Sequence, residues 1–294
     1  MLRSRRLLAT ADMAVAAVRC DGGGSAWSAP EPIGHFGLVL VRSGLFRRRV
    51  EGSEIVVDAC SGYLERAGSE QRIAHPIGGD VCTTFTVDGA VLDATTRGAA
   101  LPRERADAPI FTSPTVDVAH RALLARVTAG ADTEELAERA LLLVGTVVAG
   151  LAPKAVAAGF PTQRRAERVV DQVRQAVAAD PGLRLADLAR VTELSPYHLS
   201  RLFHRSSGVT ISRLRSRLKV RQALDRLADG QRDLAALAAE AGFADQAHLT
   251  RTVRRETGRT PGQLRALLAP SGRGQPRLVH PRLADRRGYR QNGT

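Results

Sequence analysis

Two arginines, Arg201 and Arg251, stand in matching surroundings. Around the first, Tyr197, Ser200, Arg201 and His204 fall at i, i+3, i+4 and i+7, the spacing that puts side chains on one face of an α-helix. Leu199, Leu202 and Phe203 hold the opposite face. Around the second, Gln246 or Ala247 joins Thr250, Arg251 and Arg254 in the corresponding arrangement against Leu249 and Val253. Guanidinium, amide and hydroxyl groups presented by a helix are the groups that read base edges and grip phosphates in the DNA major groove. A lone exposed arginine is a solvated side chain by default. Two of them at equivalent places on duplicated helices argue for a DNA-reading face.

The duplication extends well beyond these helices. LADLARVTELSPYHLSRLFHRSSGVTISRLR (185–215) matches LAALAAEAGFADQAHLTRTVRRETGRTPGQLR (234–265). Leu185, Leu188 and Ala189 correspond to Leu234, Leu237 and Ala238. After a one-residue insertion in the second copy, Leu199, Arg201, Gly208, Thr210 and Leu214 correspond to Leu249, Arg251, Gly258, Thr260 and Leu264. Each copy reads as a short helix, a tight turn and a second helix, so a helix-turn-helix unit is predicted twice. Ser195 followed by Pro196 is a favourable helix start, and Asp245 can cap its counterpart. A connecting helix is predicted over 210–229, with Leu214, Leu218, Leu224 and Leu227 on its apolar side. Arg213, Arg215, Arg217, Lys219 and Arg221 are expected on the other side, where they and Arg255 and Arg259 would touch phosphates. Such a rod would hold the two reading helices roughly 34 Å apart, one turn of DNA.

The charge is placed to suit a polyanion. The 294 residues carry a net charge of +13. Residues 1–161 contribute −1, residues 162–270 contribute +9 and residues 271–294 contribute +5. The excess therefore lies in one region and its tail, as expected of a nucleic-acid binder. Three cysteines (Cys20, Cys60 and Cys82) at irregular spacing fit a reduced, cytoplasmic protein better than a disulfide framework. No run of eighteen apolar residues exists, so no membrane span is expected.

Five regions follow. Residues 1–12 read as an N-terminal extension, and residues 13–150 as an all-β, barrel-like domain closed by helices. Its short apolar runs between glycines give way after residue 114 to helical periodicity. The apolar stretch ALLLVGTVVAG is expected to be buried against the barrel or a second subunit. Residues 151–162 read as a linker, 163–270 as an all-α domain, and 271–294 as a basic, disordered tail.

The segments LADLARVTELSPYHLSRLFHRSSG, ALDRLADG and LAALAAEAGFADQAHLTRTVRRETGRTPGQLR resemble the AraC/XylS family of bacterial transcription regulators. The resemblance implies seven helices, with both second helices in the major groove of promoter DNA. It assigns base contacts to Tyr197, Ser200 and Arg201 and to Gln246, Thr250 and Arg251. It places His204 and Arg254 nearer the backbone, and Arg205 and His248 complete the expected DNA-binding set. Val253 stands where the family commonly has Phe. Residues 30–95 resemble the cupin-like sensing half of such regulators, which implies a small-molecule effector, a homodimer, or both, with RNA polymerase as a further partner.

Other chemistries find less support. The metal pattern of cupins, His-x-His…Glu…His, is absent; only His35 and His75, with Glu65 and Glu70, lie in the barrel region, so no metal or cofactor is expected. Cys60 and Cys82 read as small buried hydrophobes. Arg47, Arg48 and Arg49 alternate across a strand and read as a solvated edge. Gly22-Gly23-Gly24 lacks a following Lys-Ser/Thr and reads as a loop. No Ser-His-Asp or paired-carboxylate set points to catalysis, so an enzyme is not expected. The alternative is a cupin-type enzyme domain fused to a DNA-binding module.

Overall fold

The computed structural model describes residues 2–91, 109–151 and 161–268. The N-terminal half is two antiparallel sheets. One runs β1(Leu2–Ala9)–β2(Met13–Cys20)–β9(Asp80–Val87)–β4(Phe36–Ser43)–β7(Ser61–Glu65)–β10(Ile110–Phe111). The other runs β3(Glu31–Pro32)–β8(Glu70–Ala74)–β5(Leu45–Val50)–β6(Ser53–Asp58). Successive strand residues point to opposite faces, and the six-stranded sheet is covered on both. Val39, Val41, Tyr63 and Cys82 on one side meet Phe46, Ile55 and Val57 of the other sheet. Leu38, Leu40, Leu64 and Phe85 on the other side meet two helices, α1(Pro114–Thr128) and α2(Thr133–Ala149).

The β-rich half followed by a helical half is the architecture expected. Two details of the N-terminal half differ. Residues 2–9, expected as an extension, form β1, registered along β2 from Leu2 opposite Cys20 to Ala9 opposite Ala14. Leu8 is buried there; its apolar signal was too short to reveal a strand among four arginine and serine neighbours. Arg48 does not join a solvated edge: it points between the sheets, 1 % exposed, over the Tyr63 ring and donating to Gln71. Its neighbours Arg47 and Arg49 do face outward, stacked on Trp27. In α2, Leu136, Ala140, Leu143, Val144 and Val147 are buried, whereas Leu142 is 63 % exposed. Most of the expected linker, residues 152–160, and all of the expected tail, 271–294, lie outside the described residues. Among the described residues no helix is long and apolar enough to cross a membrane.

The C-terminal half is seven helices: α3(Pro161–Ala179), α4(Leu185–Val191), α5(Pro196–Ser207), α6(Ile211–Ala228), α7(Leu234–Glu240), α8(Gln246–Thr257) and α9(Pro261–Leu268). They form two cores. Val169, Val173, Val177, Leu188, Leu199, Phe203 and Leu214 make the first. Val220, Leu224, Leu227, Leu237, Leu249, Val253 and Leu264 make the second. The two halves of α6 each serve one core. Each core also takes side chains from the N-terminal half, Cys60 in the first and Val118 with Ala122 in the second.

Buried arginines bind the two halves together. Arg174 on α3 donates to Asp58 Oδ2 at 2.8 Å, to the Val56 carbonyl at 2.7 Å and to Ser61 Oγ at 2.7 Å. Arg221 on α6 donates to Asp117 and Thr112, and Arg121 on α1 donates back to Asp225 at 2.8 Å. Arg221 was expected among the phosphate-binding residues of the connector. Its place against α1 excludes that, because a helix face that reads as solvated by charge alone becomes interior when an acidic partner comes from another domain. Burial pushes the Asp58 carboxyl up, and the Arg174 guanidinium outweighs this and holds it below its ordinary value.

Removing one member of a buried pair strands the other and costs about 3–5 kcal/mol. Undocking would return the stranded Arg174 to water. Asp58→Ala should therefore split one calorimetric unfolding transition into two, and a single unshifted transition would refute the coupling. Asp171, beside Arg174 at 4.0 Å, titrates differently. Burial pushes it up to about 7 against the pull of Arg174 and the Val56 backbone. The folded state thus retains a proton that the unfolded chain releases near pH 4, so this group's contribution falls as pH rises from about 4 to 7. Asp171→Asn should stabilise the protein by about 1–3 kcal/mol at pH 8 and by nothing near pH 4, as read by denaturant titration.

Candidate nucleic-acid interface

The second helices of the two helix-turn-helix units are capped alike at both ends. Each second helix starts on a side-chain cap: Ser195 accepts the His198 N–H at 3.2 Å, and Asp245 accepts the His248 N–H at 2.6 Å. Each ends on a left-handed glycine, Gly208 with φ 72° and Gly258 with φ 75°, whose N–H reaches the His204 or Arg254 carbonyl at 2.9 Å. Ser207 donates to the Phe203 carbonyl and Thr257 to the Val253 carbonyl. Thr210 and Thr260 cap the helices that follow. The one-residue insertion falls in the turn, between Ala238 and Asp245, where it leaves both helices intact.

The turns differ at one backbone position. Leu194 N–H bonds to Ala189 O at 3.0 Å, and Phe243 N–H to Ala238 O at 2.8 Å, so both first helices end with the same wrap. The residue before each has positive φ: Gly242 at 72°, but Glu193 at 55°. Ala189 and Ala238 are buried, small enough for the paired helices to approach closely.

The faces opposite the cores are open. On α5, Tyr197, Arg201, His204 and Arg205 are exposed and Ser200 is half-buried. Arg201 Nη1 donates to the Tyr197 hydroxyl at 3.1 Å, with its guanidinium 5.5 Å from the ring centre. This holds the guanidinium out along the helix face rather than leaving it to wander. On α8, Gln246, Arg251 and Arg254 are exposed and Thr250 is half-buried. His248 is also exposed but turned back: its Nδ1 accepts the Ala244 N–H at 3.4 Å, and its ring stands edge-on to Phe243 at 5.4 Å. It braces the turn. Val253 is fully buried in the second core.

The connector's other cations are mostly engaged. Arg215 donates to the Leu183 carbonyl, Lys219 to the Gly242 carbonyl and Arg213 to Glu256. They tie α6 to the turn before α4, to the turn between α7 and α8, and to α8 itself, so its basic face is first a scaffold. At 18 residues α6 is about 27 Å long. Sequence periodicity revealed the open faces. It could not reveal the scaffold bonds, whose partners lie up to 43 residues away.

Fold and faces together define a double helix-turn-helix DNA-binding domain carried by a two-sheet β domain. Residues 188–266 match the family described as "Helix-turn-helix domain", and this part of the chain is of the AraC type. No curated protein matches the chain. Among solved structures, ToxT from Vibrio cholerae O395 is 12 % identical over 88 % of this chain and 99 % of its own, with a TM-score of 0.33. A cupin 2 conserved barrel domain protein from Leptotrichia buccalis is 16 % identical over 30 % of this chain and 41 % of its own, with a TM-score of 0.27.

The two turns yield a stability test. A side chain in the left-handed region costs about 1 kcal/mol that glycine avoids. Glu193→Gly should raise stability by about 0.5–1 kcal/mol despite glycine's greater freedom when unfolded, whereas Gly242→Glu should lower it. Equal and opposite signs for the two exchanges in thermal melts would support equivalence of the turns; destabilisation by both would refute it.

Proposed function

We propose that this chain is a sequence-specific transcriptional regulator. Its C-terminal half reads promoter DNA, and its N-terminal half receives a small-molecule signal. The observation that carries the reading is the pair of duplicated, capped helices whose Arg201 and Arg251 faces stay open while the rest of the domain is docked. Tyr197, Ser200, Arg201, Gln246, Thr250 and Arg251 are assigned to bases, and His204, Arg205 and Arg254 to the backbone. His248 is assigned to supporting the turn of the second unit, from where it reaches DNA through the backbone at most. A homodimer joined through α2, where Leu142 is exposed, is part of this reading. So are contact with RNA polymerase and a cytoplasmic site of action.

Duplex DNA selected from a random pool by the full chain should yield a preferred site, bound with affinity that falls steeply as salt rises. Arg201→Ala or Arg251→Ala should relax preference at particular bases and cost about 1–3 kcal/mol each. No preferred site would sink the regulator reading. Uniform weakening over all sequences would demote both arginines to phosphate contacts.

A further inference from the structure

Four side chains meet inside the β domain and take no part in the DNA-reading face. Cys20, the last residue of β2, lies directly across the ladder from Asp80, the first of β9. Cross-strand neighbours of this kind hold their Cβ atoms about 5 Å apart. Cys82, two residues along β9, points to the same face. His75 follows β8 on the opposite sheet, where its backbone bridges Gly24 through bonds of 2.8 and 3.0 Å. The crossing segment 76–79 then brings His75 onto Asp80. His75 Nε2 is 2.7 Å from Asp80 Oδ1, His75 Nδ1 is 3.8 Å from Cys20 Sγ, and Cys82 Sγ is 2.8 Å from Asp80 Oδ2.

We propose that Cys20, His75 and Asp80 bind a thiophilic divalent cation of the zinc class, with Cys82 beside them on the second carboxylate oxygen, and that this ion is the signal the N-terminal half receives. The second part rests on the regulator reading above; the first does not.

Three observations carry the site. The first is charge. Asp58, Asp80 and Asp117 are the buried acidic residues among the described residues, and the Glu256 side chain, 3 % exposed, is paired with Arg213. Asp58 is paired with Arg174 and Asp117 with Arg221. Asp80, 6 % exposed, has no guanidinium or ammonium bonded to it; its partners are an imidazole and a thiol, both metal ligands. The second is distance. One donor atom each from Cys20, His75 and Asp80 lie within 4.8 Å of one another. In a tetrahedral zinc site with bonds of about 2.3 Å to sulfur and 2.0 Å to nitrogen, the sulfur–nitrogen edge is about 3.5 Å, so donor atoms within 4.8 Å of one another need close by little more than about 1 Å to hold the ion. The third is a backbone cradle. A Cβ on Gly79 would overlap the Cys20 carbonyl, and one on Gly44 would sit 2.7 Å from Asp80 Cα. Glycine at both positions lets the chain close on the two ligand-bearing residues. Thiol, imidazole and carboxylate together suit zinc over calcium or magnesium, which take oxygen donors. This set is distinct from the His-x-His pattern sought in the sequence: His35 is exposed, and Glu65 pairs with Gln71.

The site also has a route to the DNA-binding half. Val41 pairs with Cys82 and Ser43 with Val81, which leaves Arg42 as the extra residue of a bulge. A bulge re-aims its side chain. Arg42 lies within electrostatic reach of Cys82 on one side and of Arg121, Asp225 and Asp229 on the other. Zinc brings two positive charges and displaces the Cys20 thiol proton, and the net gain of one positive charge beside Cys82 repels Arg42 toward Asp225 on α6, the partner of Arg121 in the docked interface.

The test is a zinc titration of the full-length protein in competition with a chromophoric chelator, repeated with cobalt. The expected result is one equivalent per chain and a near-ultraviolet thiolate-to-cobalt band. Cys20→Ser and His75→Gln should each weaken binding by at least about 100-fold, with Cys20→Ser also losing the band. Melting curves of the metal-free variants serve as the folding control, and Asp80→Asn gives an independent third variant. Substoichiometric binding, or binding unchanged by Cys20→Ser and His75→Gln, overturns the site. The signalling role is read separately, as at least a 5-fold change in affinity for the selected DNA on adding zinc. An unchanged affinity overturns that role and leaves the site standing, whereas failure to select any DNA refutes the regulator reading alone.

Discussion

The contact between Arg174 and Asp58 sets the position of everything beyond it. Arg174 is 1 % exposed, and its guanidinium is spent on Asp58, the Val56 carbonyl and Ser61 of the β domain. It projects from α3, whose valines form the floor of the first helix-turn-helix core. The Arg221–Asp117 and Arg121–Asp225 pairs repeat the device on α6, which is shared by both units. The recognition helices therefore inherit their placement from charge pairs buried on the other side of the domain. Arginine suits this use, since its planar fork satisfies a carboxylate, a carbonyl and a hydroxyl at once and stays ionised when dry.

An interface of this type is firm yet convertible. Replacing buried ion pairs by apolar side chains often leaves a protein as stable or more so. An apolar seam would hold equally well but would be indifferent to a nearby change of charge. The ionic seam is not. Each pair tolerates burial only while its partner is in place, so shifting one charge raises the cost of the docked arrangement by kilocalories rather than tenths. Both units also share α6, so a displacement there reaches both DNA-reading faces together.

The sequence disclosed what repeats and what is local. The duplicated units, their caps at Ser195 and Asp245 and the glycines at 208 and 258 are short-range features, each a matter of a few bonds within one turn of chain. The open faces of Arg201 and Arg251 follow from helical period alone. Long-range partners left no such trace. Arg221 looks like its neighbours on α6 and is separated from Asp117 by 104 residues. Arg48 reads as one of three equivalent arginines until strand pairing assigns it to the inner face. His75 reads as an isolated histidine until two sheets bring it to Cys20, 55 residues away. The residues missed were those whose partners the topology supplies.

The distribution of arginine makes the same point in chemical terms. One residue type does three jobs here. Arg201 and Arg251 face outward, Arg201 with one donor on the Tyr197 hydroxyl, Arg215 and Arg213 fasten helices within the domain, and Arg174 and Arg221 fasten the domain to its neighbour. Net charge counts all of them alike, yet only the first group adds to the field that attracts DNA without an internal counter-charge. The +9 of residues 162–270 therefore overstates the charge free to meet a polyanion, and the acids of the β domain carry part of it. Undocking would return Arg174 and Arg221 to solvent and raise the positive field of the freed domain. Docking and DNA attraction thus compete for the same guanidinium groups, which ties the strength of one to the state of the other without any contact between the β domain and the DNA.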